Sequence, residues 1–181
     1  RLAGGAGNDN LDAGSGNYDW LSGGDGNDTL DGGERSELTY NVDIAIYEYE
    51  LLAIRAAVAE AAKRGVEVRI LYHAKPDDAQ TAENRASLKT SALPKANVLT
   101  VPRKTQKIMH DKFIVLSKLV NGQRNPQAVL CGSTNFTENG VFRQANVVHT
   151  ARAPGIARQY LAQFETLVRT AKDPKQTRAE V

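Results

Sequence analysis

The sequence contains a single cysteine, Cys131, among its 181 residues. One thiol cannot form a disulfide within the chain, and it cannot supply the paired cysteines of a zinc site. Cys131 follows the short apolar run 128–130, where a free cysteine is most simply a small core residue. The composition therefore excludes disulfide-stabilised folds and cysteine-based metal sites.

Long hydrophobic runs are also missing. No stretch reaches the length of a transmembrane helix, and the chain does not begin with the pattern of a signal peptide. The first residue is Arg1, and glycine-rich repeats start at once. We therefore expect the sequence to be a fragment of a longer protein, with room for one ordinary domain and an appendage.

Charge is distributed unevenly, although the net charge is only +2. Residues 1–33 contain six Asp, one Arg and ten of the 15 Gly, so their net charge is −5 and that of the remainder is +7. Such a difference in composition indicates separate regions. The predicted regions are repeats at 1–33, a linker at 34–41, a globular domain at 42–172 and a charged tail at 173–181.

Residues 4–31 contain three copies of a nonapeptide rich in Gly, Asn and Asp. The copies span 4–12, 13–22 and 23–31, with Tyr18 as an extra residue in the second. They resemble the calcium-binding repeats of RTX proteins, which implies a short parallel β-roll with successive turns on opposite sides. The alternative is a flexible linker, because Gly, Asn and Asp also favour loops.

The repeats predict one structural Ca²⁺. Glycines allow turns with positive φ and expose carbonyl oxygens, and aspartates supply the hard oxygen ligands that calcium prefers. Because successive turns alternate, turn 4–9 is expected to stack on turn 23–28. The predicted ligands, including one on the opposite side, are Asp9, Asp28, Asp19, Gly5, Gly7, Gly24 and Gly26. Without calcium the six Asp would repel one another, and we expect disorder.

Beyond residue 41, apolar residues recur at strand and helix spacings. Strand 42–47, helix 48–64 and strand 66–72 form a βαβ unit, whose strands are expected to be parallel. Further predicted elements are helix 79–90, strand 97–101, antiparallel strands around turns in 119–127, strand 145–149 and helix 157–170. The expected fold class is α/β, a mixed β-sheet flanked by helices.

Two short motifs carry the chemistry. The first is His110-x-Lys112, whose two side chains point to the same face of a strand. The second is Gly-Ser-Thr-Asn-Phe at 132–136, which follows an apolar strand and places Ser133 and Asn135 on one face. Imidazole, ammonium, hydroxyl and amide groups together suit an anionic centre such as a phosphodiester.

His-x-Lys followed by Gly-Ser-x-Asn-Phe resembles the phospholipase D superfamily of phosphodiesterases, over residues 42–167. The resemblance implies two halves that meet face to face. One histidine attacks phosphorus to form a phosphohistidine, the other protonates the leaving oxygen, and the chemistry needs no metal. Carried over, His110 is the nucleophile or acid, and the catalytic Lys112 binds phosphate together with Ser133 and Asn135. The substrate is a phospholipid or a nucleic acid.

Two positions depart from the family pattern. Ser117 stands where the family has Asp, and Gln144 stands where an acidic residue often orients the histidine. Gln144 could accept a hydrogen bond from His110, but a neutral amide is a weaker acceptor than a carboxylate. These departures are expected to affect the strength of catalysis rather than the fold.

Other basic residues and the remaining histidines allow two interpretations. Arg103, Lys104 and Lys107 either steer an anionic substrate or form a solvated loop. His73 directly follows a strand, so it either borders the site or lies in a surface loop. His149 is expected to be structural.

Three interpretations of the function follow. The chain is one half of a phospholipase D-like phosphodiesterase whose second half lies beyond Val181, or a dimeric endonuclease in which a second copy completes the site. Otherwise it is a weak or inactive phosphate-binding scaffold of a calcium-binding protein. An extracellular location is expected, because RTX repeats usually accompany export to calcium-rich surroundings.

Overall fold

A computed structural model describes residues 2–12, 21–31, 40–104 and 108–172. No helix in these ranges is both long and apolar enough to cross a membrane. The chain divides into two compact units, residues 1–38 and 39–181. Several predictions from the sequence fall outside the described residues: the ligand Asp19, linker residues 34–39, Lys107 and the tail 173–181.

The first unit contains four short strands in two parallel pairs. β1 (Leu2–Ala6) pairs with β3 (Leu21–Asp25), and β2 (Asn10–Asp12) pairs with β4 (Thr29–Asp31). In both pairs a residue lies opposite the residue 19 positions later. The first copy of the repeat therefore lies beside the third.

The second unit is a mixed sheet with helices on both faces. Its elements are β5 (Tyr40–Ile46), α1 (Leu52–Lys63), β6 (Glu67–His73), α2 (Ala79–Thr90), β7 (Val98–Arg103), β8 (Lys112–Val120), β9 (Gln123–Gly132), a π-helical turn (Asn139–Arg143), β10 (Val148–Ala151) and α3 (Pro154–Arg169). The strand order is β10-β9-β8-β5-β6-β7. β5, β6 and β7 are parallel to one another. β8 runs antiparallel to β5, β9 to β8, and β10 to β9.

The two faces of the sheet bury separate apolar clusters. Ile44 packs with Val58 of α1 on one face, whereas its neighbour Ala45 packs with Phe164 of α3 on the other. Adjacent strand residues point to opposite faces, so the apolar run of β5 serves both clusters. Truncation of a fully buried aromatic such as Phe164 is expected to cost about 3–5 kcal/mol.

The helix predicted over 48–64 begins only at Leu52. The preceding backbone instead bonds to Phe136: Glu50 N–H donates to Phe136 O (2.8 Å), and Phe136 N–H donates to Glu48 O (3.0 Å). These contacts satisfy backbone groups that another helical turn would otherwise use. A tertiary interaction, invisible to local periodicity, therefore corrects this boundary.

Of the turns predicted within residues 119–127, the structure forms one, and glycine also follows α1. Gly65 ends α1 with φ +93°, and Asn121-Gly122, with φ of 51° and 75°, connects β8 to β9. Glycine and asparagine tolerate positive φ better than other residues, which accounts for their presence at both turns. The other predicted turn, Asn125-Pro126, instead lies within β9. Proline is accommodated there because β10 pairs only with the last four residues of β9, leaving Pro126 at a sheet edge.

Candidate active site

Three strand ends meet at one edge of the sheet. β5 ends at Ile46, which is in register with Lys112 at the start of antiparallel β8. β9 returns to the same edge at Gly132. Tyr47 N–H donates to Asp111 O (2.9 Å) and continues the pairing beyond the strand ends. The two sequence motifs therefore project from a common edge.

The Lys112 side chain is held in place from several directions. The residue is only 6% exposed. Its Nζ donates to His110 O (3.1 Å) and lies 5.4 Å from the centre of the Tyr47 ring, within reach of a cation–π contact. Burial lowers the pKa of Lys112, whereas the charges of Glu48 and Asp111 raise it.

His110 presents its imidazole at this edge. The residue is exposed, and its ring lies 5.2 Å from the Tyr47 ring, tilted by 58°. Partial desolvation and the Lys112 charge lower the pKa of His110, although Asp111 opposes them. A lowered pKa favours the neutral imidazole at pH 7, and a neutral ring nitrogen can act as a nucleophile.

Asn135 reaches the same edge because the backbone of its loop pairs with the segment after β5. Its side chain lies near the Glu48 carboxylate, which also interacts with Lys112. Burial and the neighbouring Glu50 raise the pKa of Glu48, while Lys112 and Asn135 lower it. Among the described residues, Asn135 Oδ1 has no hydrogen-bond partner. An acid that was not singled out from the sequence therefore joins the site.

Ser133 and Gln144 bond to the loop before β10 instead. Ser133 Oγ donates to Asn146 Oδ1 and accepts from Val147 N–H, both at 3.0 Å. Gln144 Oε1 accepts from Asn146 Nδ2 (3.1 Å), so its hydrogen bond is not with His110. Asn146 is hydrogen-bonded to both side chains within an irregular loop. β10 consequently begins three residues later than predicted.

Ser117 lies far from this edge. It is in register with Asn41 at the opposite end of β5. Along β8 it is five residues from Lys112, which corresponds to about 16 Å at about 3.3 Å per residue. Ser117 is fully buried, and its Oγ has no hydrogen-bond partner within the described part of the chain. The exchange of the family's Asp for Ser therefore concerns packing rather than the surroundings of His110.

His73 is fully buried, so the interpretation as a surface-loop residue is wrong. It ends β6, and its ring lies 5.0 Å from the Tyr47 ring in an edge-on arrangement. Burial lowers the pKa of His73, whereas Asp78 raises it. Tyr47 therefore lies between two histidine rings, those of His73 and His110.

Arg103 contributes to the fold rather than to a substrate-binding loop. It is buried, and its Nη1 donates to Leu167 O (2.6 Å) and Thr170 Oγ1 (3.0 Å) at the end of α3. Neither the steering role nor the solvated loop considered for this residue describes it.

Tyr47 and Glu48 were missed because no motif contains them. Both lie just beyond the carboxyl end of β5, the first strand of a parallel βαβ unit. Ligands of open α/β sheets bind outside the carboxyl ends of the strands. Applied to the predicted βαβ unit, this rule is the sequence signal that could have found them.

In the N-terminal unit, two stacked turns face each other. Asp28 Oδ1 accepts from Asp9 N–H (3.0 Å), and Asp9 Oδ2 is buried with no partner among residues 2–12 and 21–31 or elsewhere in the described chain. A Cβ on Gly24 or Gly26 would overlap the carbonyl oxygens of the turn stacked on them, those of Gly5 and Gly7. Nowhere in the described ranges do three or more His, Cys, Asp or Glu form a metal-binding group, so a cation here would need backbone oxygens.

Comparison with known proteins gives a family match and several structural neighbours. A family model described as "Cardiolipin synthase, PLD-like domain" matches residues 36–168. No curated protein matches the chain. NucT from Helicobacter pylori aligns with a TM-score of 0.53 and 19% sequence identity, and the alignment covers 71% of this chain and 79% of the NucT chain. Nuc from Salmonella typhimurium, a phospholipase D family member, has a TM-score of 0.53 and 25% identity, covering 72% and 78%.

A third neighbour shows how widely the fold is used. Polyphosphate kinase from Porphyromonas gingivalis has a TM-score of 0.55 and 18% identity, covering 73% of this chain and 22% of its own. At this identity the likeness concerns the fold alone. The mixed α/β sheet flanked by helices that was predicted from the sequence is confirmed.

Proposed function

The chain belongs to the family of phospholipase D-like domains described as "Cardiolipin synthase, PLD-like domain", and from this premise we propose that its second unit supplies one half of a phosphodiesterase site. His110 is the nucleophile, and Lys112 and Asn135 hold the phosphate oxygens. The observation that carries the proposal is the meeting of these three side chains at one sheet edge.

The reaction proceeds by two displacements at phosphorus. A neutral nitrogen of His110 forms a bond to phosphorus while the bond to the leaving oxygen breaks, and a second histidine gives that oxygen its proton. Water then gives a proton to the second histidine and attacks phosphorus, and the N–P bond breaks to restore neutral His110. An alcohol in place of water gives transfer instead of hydrolysis.

Lys112 and Asn135 act on the charge that the phosphoryl oxygens carry in both steps. Their Nζ and Nδ2 groups donate to these oxygens, and fixed donors of this kind are a large term in phosphoryl transfer. Glu48 holds the Asn135 amide and balances the Lys112 charge before substrate arrives. Ser133 and Gln144 support the site by bracing the loop before β10.

The second histidine must come from another half. The sequence has three histidines, and His73 is fully buried. His149 lies opposite Cys131, which in turn lies opposite Phe113, so His149 shares the α3 face of the sheet. Lys112 follows the alternate parity and lies on the other face. The acid is therefore supplied by a second phospholipase D-like half, either elsewhere in the parent protein or in a second copy of this chain.

An exposed apolar surface beside the site fits such a partner. Leu52 and Phe142 are 70% and 71% exposed, and Val141, Val147 and Val148 are also exposed. Leu52 begins α1 after β5, and the valines at 147 and 148 lie beside the end of β9, so these residues share the edge that carries His110. Contiguous apolar patches mark interaction sites, and we propose that these residues form one.

The test is hydrolysis of a chromogenic phosphodiester by this chain, alone and joined to a second half. His110→Ala is expected to abolish activity, and His149→Ala, the matched control, to leave it within about twofold. Loss of activity in both variants, or retention in His110→Ala, would overturn the role of His110. An inactive chain, even when joined to a second half, would support the phosphate-binding scaffold instead.

We further propose that residues 2–31 are RTX-type repeats that bind one Ca²⁺ and that the parent protein is exported. The support is the 19-residue register, the buried and unsatisfied Asp9 Oδ2, and the glycine carbonyls that face the stacked turn. Asp9 and Asp28 would supply the carboxylate ligands, and the bound calcium would cross-link the two stacked turns.

Calcium titration followed by circular dichroism tests this second proposal. Asp9→Asn and Asp28→Asn are each expected to weaken binding at least tenfold, because each removes a charged ligand. Asp25→Asn is the control, since that side chain is exposed on the same turn. Equal calcium responses in all three variants would contradict the assignment.

A further inference from the structure

His73 lies in a buried polar frame next to the nucleophile. Its Nδ1 accepts from Met109 N–H (3.3 Å), and its Nε2 lies 3.3 Å from Asp78 Oδ1. A neutral imidazole has one donor and one acceptor nitrogen. Because Nδ1 accepts from Met109, the neutral ring carries its proton on Nε2, on the side of the Asp78 carboxylate, although Nε2 has no hydrogen-bond partner in the described part of the chain.

Two contacts lead from His73 to His110. His73 accepts a hydrogen bond from the N–H of Met109, the residue immediately before His110. Met109 is itself buried. The Tyr47 ring packs edge-on against His73 at 5.0 Å and against His110 at 5.2 Å. His73 therefore contacts the backbone one residue before His110 and the Tyr47 ring that packs against the His110 imidazole.

The frame around His73 is tied to three elements. Asn84 of α2 donates to His73 O (3.1 Å) and to Tyr47 O (2.8 Å), and its Oδ1 accepts from Tyr49 N–H (2.9 Å). Asp78 also caps α2 through Thr81 N–H (3.2 Å). These hydrogen bonds connect the segment after β5, the end of β6 and α2 around the imidazole.

His73 cannot itself take part in the chemistry. It is fully buried, and burial together with Lys75 lowers its pKa, although Asp78 opposes both. Protonation of Nδ1 would place one N–H against the Met109 N–H. The neutral ring is the form compatible with these contacts.

We propose that His73 is a positioning residue, which orients His110 through the Met109 backbone and the Tyr47 ring. This inference rests on the proposed role of His110 as nucleophile. Displacement of a reacting group by about 1 Å can cost about 100-fold in rate. Loss of the His73 acceptor is therefore expected to lower kcat by about 10- to 100-fold, with KM within about twofold.

The variants separate shape from hydrogen bonding. His73→Phe keeps a ring against Tyr47 and removes the acceptor, whereas His73→Asn restores an acceptor oxygen near the position of Nδ1. Asp78→Asn keeps the helix cap but removes the negative charge that lies 3.3 Å from His73 Nε2. Asp77→Asn is the matched control, because asparagine tolerates its φ of 52°.

The first readout needs no activity. With three histidines, the His110 imidazole is identified in NMR spectra by comparison with His110→Ala, and His149 is an internal reference. In His73→Phe we expect the pKa of His110 to rise toward its usual value and Met109 N–H to exchange faster, since its hydrogen bond is lost. His73→Asn should reverse both effects in part.

The outcomes are distinct. An unchanged His110 titration and unchanged Met109 exchange in a folded His73→Phe would overturn the inference, as would the same result in Asp78→Asn if His73→Phe does not fold. Altered titration, with kcat reduced in His73→Phe and recovered in His73→Asn, supports it. Full activity of His110→Ala would instead overturn the proposed function, whatever the NMR titrations of the His73 variants show.

Discussion

Burial sets the protonation of the charged groups at the sheet edge. Lys112 is buried and its pKa is lowered, whereas the pKa of the partly buried Glu48 is raised. Each charge favours the charged form of the other, as opposite charges at short range do. Removal of either charge is therefore expected to change the protonation of its partner.

Glu48→Gln tests this coupling. The amide can still accept from Asn135, but the lost charge should lower the pKa of Lys112 further. We expect kcat of the active assembly to fall about tenfold, corresponding to about 1.4 kcal/mol, and its alkaline limb to move to lower pH. The measurement is the pH–rate profile. Glu50→Gln, two residues away, is the control, and identical profiles for both variants would contradict the coupling.

The lowered pKa values of two histidines predict how the free energy of unfolding depends on pH. The pKa values of His73 and His110 are lowered in the folded chain, while an unfolded histidine titrates near 6.5. The unfolded state therefore binds more protons below about pH 6.5, so the unfolding free energy is full above that pH and falls as pH decreases toward the folded pKa. Urea unfolding from about pH 7.5 to 5.5 should show this loss.

His73→Phe should flatten that dependence, because phenylalanine has no proton to bind. His149→Phe is the control, since that residue is exposed on β10. Comparison of variant with wild type also cancels the contributions of Glu48 and Asp111, whose raised pKa values act in the opposite direction. Equal slopes for wild type and His73→Phe would rule out the assigned contribution.

At the scale of elements, the π-helical turn fixes the loop that carries Asn135. Gly140 lies in this turn, and its N–H donates to Thr137 Oγ1 (2.9 Å). A Cβ at Gly140 would overlap the Asn135 carbonyl oxygen, which is backbone and cannot rotate away. The turn can therefore pack against this loop only with glycine at its centre.

Gly140→Ala is expected to displace the Asn135 loop. Overpacking of this kind costs about 1–3 kcal/mol of unfolding free energy, and activity should fall at least tenfold as Asn135 moves. Gly155→Ala near the start of α3 is the control, because a Cβ there meets open space and should stabilise the helix by about 0.5–1 kcal/mol. Urea unfolding and initial rates measure both effects.

At the scale of the whole molecule, the proposed site requires a second half. The exposed apolar residues around Leu52 and Phe142 lie at the edge that carries His110. A partner that covers them would bring its own histidine toward the same phosphate. Association and catalysis should therefore be lost together.

Phe142→Asp is expected to weaken that association, because it places a charge on the apolar surface. If two copies form the site, sedimentation should show a shift to monomer, and specific activity should rise with protein concentration only in wild type. Leu99→Asp on β7 is the control, since Leu99 is 53% exposed on the opposite edge strand of the sheet. A dimer that persists in Phe142→Asp but not in Leu99→Asp would place the interface elsewhere.

Local pattern was enough for much of the molecule. The βαβ spacing of apolar residues predicts parallel β5 and β6, and the structure has them parallel. The spacing of the nonapeptides matches the 19-residue register between the first and third copies. In each case the relevant interaction is encoded by residues close in sequence or by a repeated period.

The remaining features were decided by contacts between distant residues. Glu48 reaches Asn135, which is 87 positions away, only because their backbones pair. His73 becomes buried because the Met109 backbone, 36 positions later, lies against it. Sequence by itself determined the fold class, because the helices and strands are encoded by local periodicity. Tertiary structure alone decided which side chains surround His110 and Lys112, because packing between elements carries no periodic signal.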